Sequence, residues 1–81
     1  MKELKDYLKR NAYDLDTLKV HKENDNFIAH RVYNNISHCT FYFLEKKSTG
    51  EFFKTQRLNE PAKKINLNAC YLQGMLKGED L

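Results

Sequence analysis

Eight residues, Cys39-Thr40-Phe41-Tyr42-Phe43-Leu44-Glu45-Lys46, constrain the fold of this chain more than any other stretch. Alternate side chains of a strand face opposite sides of its sheet. This run is apolar at both parities, with Phe41 and Phe43 on one side and Tyr42 and Leu44 on the other. Whatever its register, such a strand gives a sheet two apolar faces, and apolar faces are usually buried. Lys47-Ser48-Thr49-Gly50 follows as a turn, with Gly50 suited to the positive φ that a short hairpin loop requires. Residues 51–57 then return as the second strand of a hairpin.

A second hairpin precedes it. Leu18 and Val20 alternate with Lys19 and His21, the turn-forming run Glu23-Asn24-Asp25-Asn26 follows, and residues 27–33 are rich in β-branched and aromatic side chains. This pattern predicts paired strands over 17–22 and 27–33, closed by Asn34-Asn35. Upstream, Leu4, Tyr7 and Leu8 recur at helical spacing and predict a short amphipathic helix, with Lys9 and Arg10 in its last turn and a stop at Asn11. Residues 12–16 fit either a continuation of that helix or a loop. Downstream, Pro61 suits the first turn of another helix. Ala62, Ile65, Ala69, Leu72 and Leu76 step by three and four, and Gly78 sits where a C-terminal cap belongs. Asn66, Asn68 and Gly74 interrupt that stripe, and Asn68 also fits as the cap of a shorter helix. The expected fold class is α+β: an antiparallel sheet of three to four strands (two β-hairpins) flanked by an N-terminal and a C-terminal helix. With 81 residues the chain has room for one core, so 1–81 is expected to be a single domain.

The net charge of +3 is spread along the chain, with seven basic and six acidic residues in the first forty positions and seven and five in the rest. A diffuse excess of this size permits nucleic-acid binding without demanding it. Two cysteines are too few for the disulfide framework a small secreted domain uses, and the charged residues 2–10 lack the apolar centre of a signal peptide. No apolar run approaches the length of a membrane span. Asn35-Ile36-Ser37 matches a glycosylation acceptor that a chain outside the secretory route does not use. These features predict a cytoplasmic chain with free thiols and no membrane partner.

No reaction centre is expected. His21, His30, His38 and Cys39 invite a zinc site, but they lack the paired ligand spacing of structural zinc, and His38 and Cys39, being adjacent, would point opposite ways in a strand. Cys39 and Cys70 both read as small buried hydrophobes rather than nucleophiles. Asp14 and Asp16 read as solvated loop acids, and the three glycines (50, 74 and 78) are too scattered for a phosphate loop. The chain is therefore expected not to be an enzyme, and to hold no metal or cofactor and no small-molecule substrate.

The strand residues divide by parity into one set containing Leu18, Val20, Ile28, Val32, Phe41 and Phe43, and another containing Phe27, Arg31, Tyr33, Tyr42, Leu44, Phe53 and Arg57. Either a helix or a second copy of the chain covers the second set, or both helices pack on the first and leave the second open. In the latter case Arg31, Tyr33, Tyr42, Phe53 and Arg57 form a partner-binding surface of a type common at interfaces. The function this implies is a small non-enzymatic macromolecule-binding module, a protein-binding inhibitor, adaptor or regulator that acts by occluding a partner surface. The partner is expected to be another protein or a second copy in a homodimer. The alternative is a nucleic-acid-binding protein that uses the basic 46–64 hairpin-helix region through Lys46, Lys47, Lys54, Arg57, Lys63 and Lys64.

Overall fold

A computed structural model describes residues 2–67 of the protein. Helix α1 (Lys2–Arg10) leads into strands β1 (Tyr13–Glu23), β2 (Phe27–Asn34), β3 (Cys39–Lys46), β4 (Phe52–Thr55) and β5 (Lys63–Lys64). The sheet order is β1-β2-β3-β4-β5, and every neighbouring pair is antiparallel, so the strands follow one another across the sheet as a meander. The apolar β3 lies at the centre, as its two-sided composition requires.

Leu4, Tyr7 and Leu8, the helical stripe read from sequence, are all buried in one core with Tyr13, Val32, Phe43 and Phe52. Ring packing organises this core. Phe43 meets Tyr7 edge-on at a centroid distance of 6.1 Å and Tyr13 at 5.3 Å, and Tyr13 also meets Phe41 at 5.8 Å. Burial pushes the Tyr13 phenol well above its ordinary pKa, helped by Tyr7 and opposed by a hydrogen bond with Asn34.

The helix stops at Asn11 as expected. Its backbone N–H donates to both the Tyr7 and Leu8 carbonyls, and its side-chain amide donates to Tyr7 O at 2.8 Å. Ala12 then turns the chain at φ 67°, in the left-handed region that usually calls for glycine after a helix. A Cβ there costs about 1–2 kcal/mol, of which glycine's extra unfolded-state entropy takes back about half. Ala12→Gly is therefore expected to stabilise the fold by about 0.5–1 kcal/mol and raise Tm by a few degrees, read by thermal melting. A lowered melting point would remove backbone strain from the account of this helix stop.

Three sequence expectations change. Of residues 12–16, only Ala12 lies in a turn and 13–16 are already strand, because Tyr13 and Asp14 pair with Asn34 and Tyr33. The register shifts between Asp14 and Lys19, where the Thr17 hydroxyl accepts from Tyr33 N–H at 2.9 Å and so gives that amide a partner across the shift. The sheet has five strands rather than three to four. The C-terminal helix is not seen: 61–67 is non-helical, and Lys63 and Lys64 pair with Lys54 and Phe53 on the edge of β4. Ile65 N–H donates to Phe52 O at 3.0 Å, while Ile65 and Leu67 pack against the core. Those two residues are spaced by two, the strand period, and pairing satisfies a sheet edge that a helix would leave bare. The remainder of the expected helix, with Cys70, lies outside the described residues.

Candidate functional site

All the apolar packing against α1 comes from one side of the sheet, and the other side is set by strand register. Phe27, Ala29, Arg31 and Tyr33 alternate along β2 and stand opposite Lys46, Leu44, Tyr42 and Thr40 of β3. On β4, Phe53 stands opposite Leu44, and Thr55 opposite Tyr42. Four of the five residues expected at a binding surface, Arg31, Tyr33, Tyr42 and Phe53, are thus brought to one face, opposite the helix. Tyr33, Tyr42 and Phe53 are each offset by two residues on successive strands, so they form a diagonal row with Cα spacings of roughly 7–8 Å. Arg31 is exposed, and the three rings are half-buried. Phe27 joins them, meeting Phe53 edge-on at 6.5 Å.

Arg57 does not belong to this face. Strand β4 ends at Thr55, whose hydroxyl donates to Arg57 O at 2.7 Å, and the Arg57 guanidinium points into the following turn, 3.8 Å from Glu60. The basic 46–64 set is dispersed as well. Lys46 and Lys64 share the ring face, opposite Phe27 and Phe53, whereas Lys54 and Lys63 lie on the helix side. Lys54 Nζ sits 5.1 Å from the Phe41 ring centroid, and burial first, then the charge of Lys63, lowers its pKa. Lys47 is engaged by Glu23 at 2.6 Å across the ends of two hairpins.

Sequence reasoning missed the residues that frame the ring face. Lys19 stands opposite Arg31, and Lys22 opposite Ala29. His21, at the second register shift of β1, lies 5.1 Å from the Tyr42 ring, and His38 Nδ1 lies 3.3 Å from the Tyr33 hydroxyl. The signal that places Lys19 and Lys22 is their pairing with β2, and two shifts in β1 hide it from any simple alternation count. Lys22, Ala29, Leu44, Phe53 and Lys64 form one rung across all five strands, apolar in the middle with a cation at each end. An open groove runs beside it, floored by Ala29 and Leu44 and walled by Phe27 and Leu58.

No known protein family, curated protein or solved structure matches this chain.

The histidines are kept apart. His30 is buried on the helix side with Nε2 3.1 Å from Glu45 Oε1, away from His21 and His38, and no cluster of metal-ligating side chains forms among the described residues. Cys39 is half-buried, its thiol donating to Ser37 O at 3.4 Å. Asp14 and Asp16 shape the irregular part of β1: Asp14 Oδ1 accepts from Asp16 N–H at 3.0 Å. No described helix is long and apolar enough to cross a membrane.

Proposed function

We propose that the protein is a non-enzymatic binding module whose ring-bearing sheet face docks onto a macromolecule and occludes the surface it covers. The observation that carries this reading is the shared register of Arg31, Tyr33, Tyr42 and Phe53 on the face opposite α1. The described core is complete without them, since Phe43, Leu4, Leu8 and Val32 are fully buried on the other side. Half-buried Tyr and Phe beside an exposed Arg supply large contact area together with polar contacts, the combination enriched at interface centres. The face extends across all five strands and its groove is open rather than enclosed, which suits a macromolecule better than a small ligand held in a deep cleft. The 46–64 region is the weaker candidate, because its cations divide between two faces and two of them are held by Glu23 and Glu51.

The test places a photo-crosslinking residue at Thr40, beside Tyr33 on the ring face, or at Lys5, on the exposed side of α1, and irradiates each protein in extract of the native host. Adducts are expected from position 40 and not from position 5. Tyr42→Ala combined with Phe53→Ala is expected to remove them while the protein still melts cooperatively. Equal yields from the two positions, or adducts indifferent to the ring substitutions, would sink the reading.

A further inference from the structure

We infer that the partner of the ring face is a single-stranded nucleic acid, its bases laid on the Tyr33–Tyr42–Phe53 diagonal and its phosphates held by the cations around it. This rests on the binding-face reading above and goes further by naming the partner.

The argument starts from how charge divides between the two sides of the sheet. On the helix side, the paired strand positions carry Glu23, Glu45, Lys54 and Lys63, which balance. On the ring face, Lys19, Lys22, Arg31, Lys46 and Lys64 stand against Asp14, with Glu51 at the border bound to Lys64 at 2.6 Å. Asp16 lies in the irregular part of β1 and has no paired position. Among the described residues, none of Lys19, Lys22, Arg31 and Lys46 has a carboxylate within 4.0 Å. The excess positive charge of the sheet is therefore concentrated on the face that also carries the rings not used by the core. That face is complementary to a polyanion.

Ring geometry then selects among polyanions. A duplex keeps its bases stacked inside and offers phosphates alone, so the rings would contribute nothing to holding it. A single strand offers both phosphates and unstacked bases, and aromatic side chains on an open sheet are suited to receive such bases whatever their sequence. The diagonal Cα spacing of roughly 7–8 Å between neighbouring ring-bearing residues leaves room for one unstacked base per ring. Arg31 stands beside Tyr42 on its rung with Lys19 next along it, so that ring has two cations in reach of the adjoining phosphate. Lys64 beside Phe53 is held by Glu51, and Asp14 stands beside Tyr33. An acidic peptide would meet the same cations but does not carry a stacking ring beside each of its charges, as a nucleotide chain does.

The full chain is titrated, by fluorescence anisotropy, against labelled oligo(dT) and oligo(U) of about fifteen nucleotides, near the largest site sizes of small single-strand binders. A duplex of equal length and poly-glutamate serve as the other polyanions. Binding of at least one single strand is expected to exceed duplex and poly-glutamate binding by about tenfold or more, and comparing dT with U separates DNA from RNA. The slope of log K against log salt is expected to be about −2 to −3, as for three to four phosphate contacts on a single strand, and Arg31→Gln or Lys19→Gln should each flatten it by about 0.7. Tyr42→Leu should weaken binding about tenfold with little change in that slope. The exposed Arg31 and Lys19 variants keep the test decisive even where a ring variant loses stability. No binding at about 100 µM protein, the weak limit of non-specific association, overturns the inference. Equal affinity for all three polyanions, unaffected by Tyr42→Leu, overturns it too. A nuclease-resistant protein adduct from position 40, together with absent oligonucleotide binding, leaves the binding face standing and removes nucleic acid as its partner.

Discussion

Phe43→Ala is expected to destabilise the protein by about 3–5 kcal/mol, whereas Tyr42→Ala, at the next position on the same strand, should cost about 1 kcal/mol and leave the fold intact. Phe43 is fully buried between the edges of Tyr7 and Tyr13, so truncating its ring opens a cavity and removes two aromatic contacts at once. A domain of this size has on the order of 5–15 kcal/mol of total stability, so a fifth or more of it would vanish with one side chain. Tyr42 points the other way, half-buried, with His21 as its ring neighbour. Urea denaturation of both variants measures the contrast. Comparable losses would mean that Tyr42 is core material, and the binding face would have to be abandoned.

The same pair shows what the sequence could reveal. Parity alone separates Tyr42 from Phe43, because backbone geometry forces neighbouring strand residues to opposite faces. Arg31, Tyr33 and Phe53 join Tyr42 only through the pairing register, and a one-residue slip in either hairpin would have scattered them. Tight turns hold that register. Gly50, at φ 75°, allows its own N–H to donate to Lys46 O at 2.8 Å, and Asn24 Oδ1 accepts from the N–H groups of Asn26 and Phe27, both at 2.8 Å. Turn chemistry is local, so it was readable. By contrast, the pairing of β1 depends on two shifts, one at His21 and one near Thr17, where side-chain hydrogen bonding competes with the ladder, and Lys19 and Lys22 were lost from view with it.

The edge strand β5 failed to announce itself for a related reason. Lys63-Lys64 has no β-propensity worth noting, and its extended form comes from the vacant edge of β4 and the core contacts of Ile65 and Leu67. A periodicity of three and four across 62–76 competed with a periodicity of two across 65–67, and tertiary pairing decided for the second within the described residues. Arg57 was misplaced by the same error of extent: β4 ends at Thr55, two residues sooner than the alternation suggested.

Asn34→Ala is expected to cost about 2–3 kcal/mol, a large effect for a polar residue in a turn. Buried at the end of β2, Asn34 accepts from the Ile36 and Ser37 N–H groups through Oδ1, both at 2.9 Å, and donates through Nδ2 to Asn11 O at 3.1 Å. Asn35 N–H adds a bond to Ala12 O at 2.8 Å, so this one corner joins the helix stop to the turn between β2 and β3. Alanine leaves the exposed Ile36 and Ser37 amides to water, while the Asn11 carbonyl, on a buried residue, loses the bond from the Asn34 amide, and that loss dominates the cost. Asn34→Asp separates the two roles. A carboxylate still accepts from the turn amides, which favours its charged form. Burial and the facing Asn11 carbonyl, to which it has no proton to give, outweigh those two bonds, so its folded-state pKa should rise above the unfolded value near 3.9. A raised carboxyl pKa adds stability that is fully present below the unfolded value and is lost as pH rises through the folded one. Measured against wild type, Asn34→Asp should therefore melt closest to normal near pH 3 and fall furthest behind at pH 7. A deficit independent of pH would show that the donor bond to Asn11 contributes little, and that the turn amides alone hold this corner.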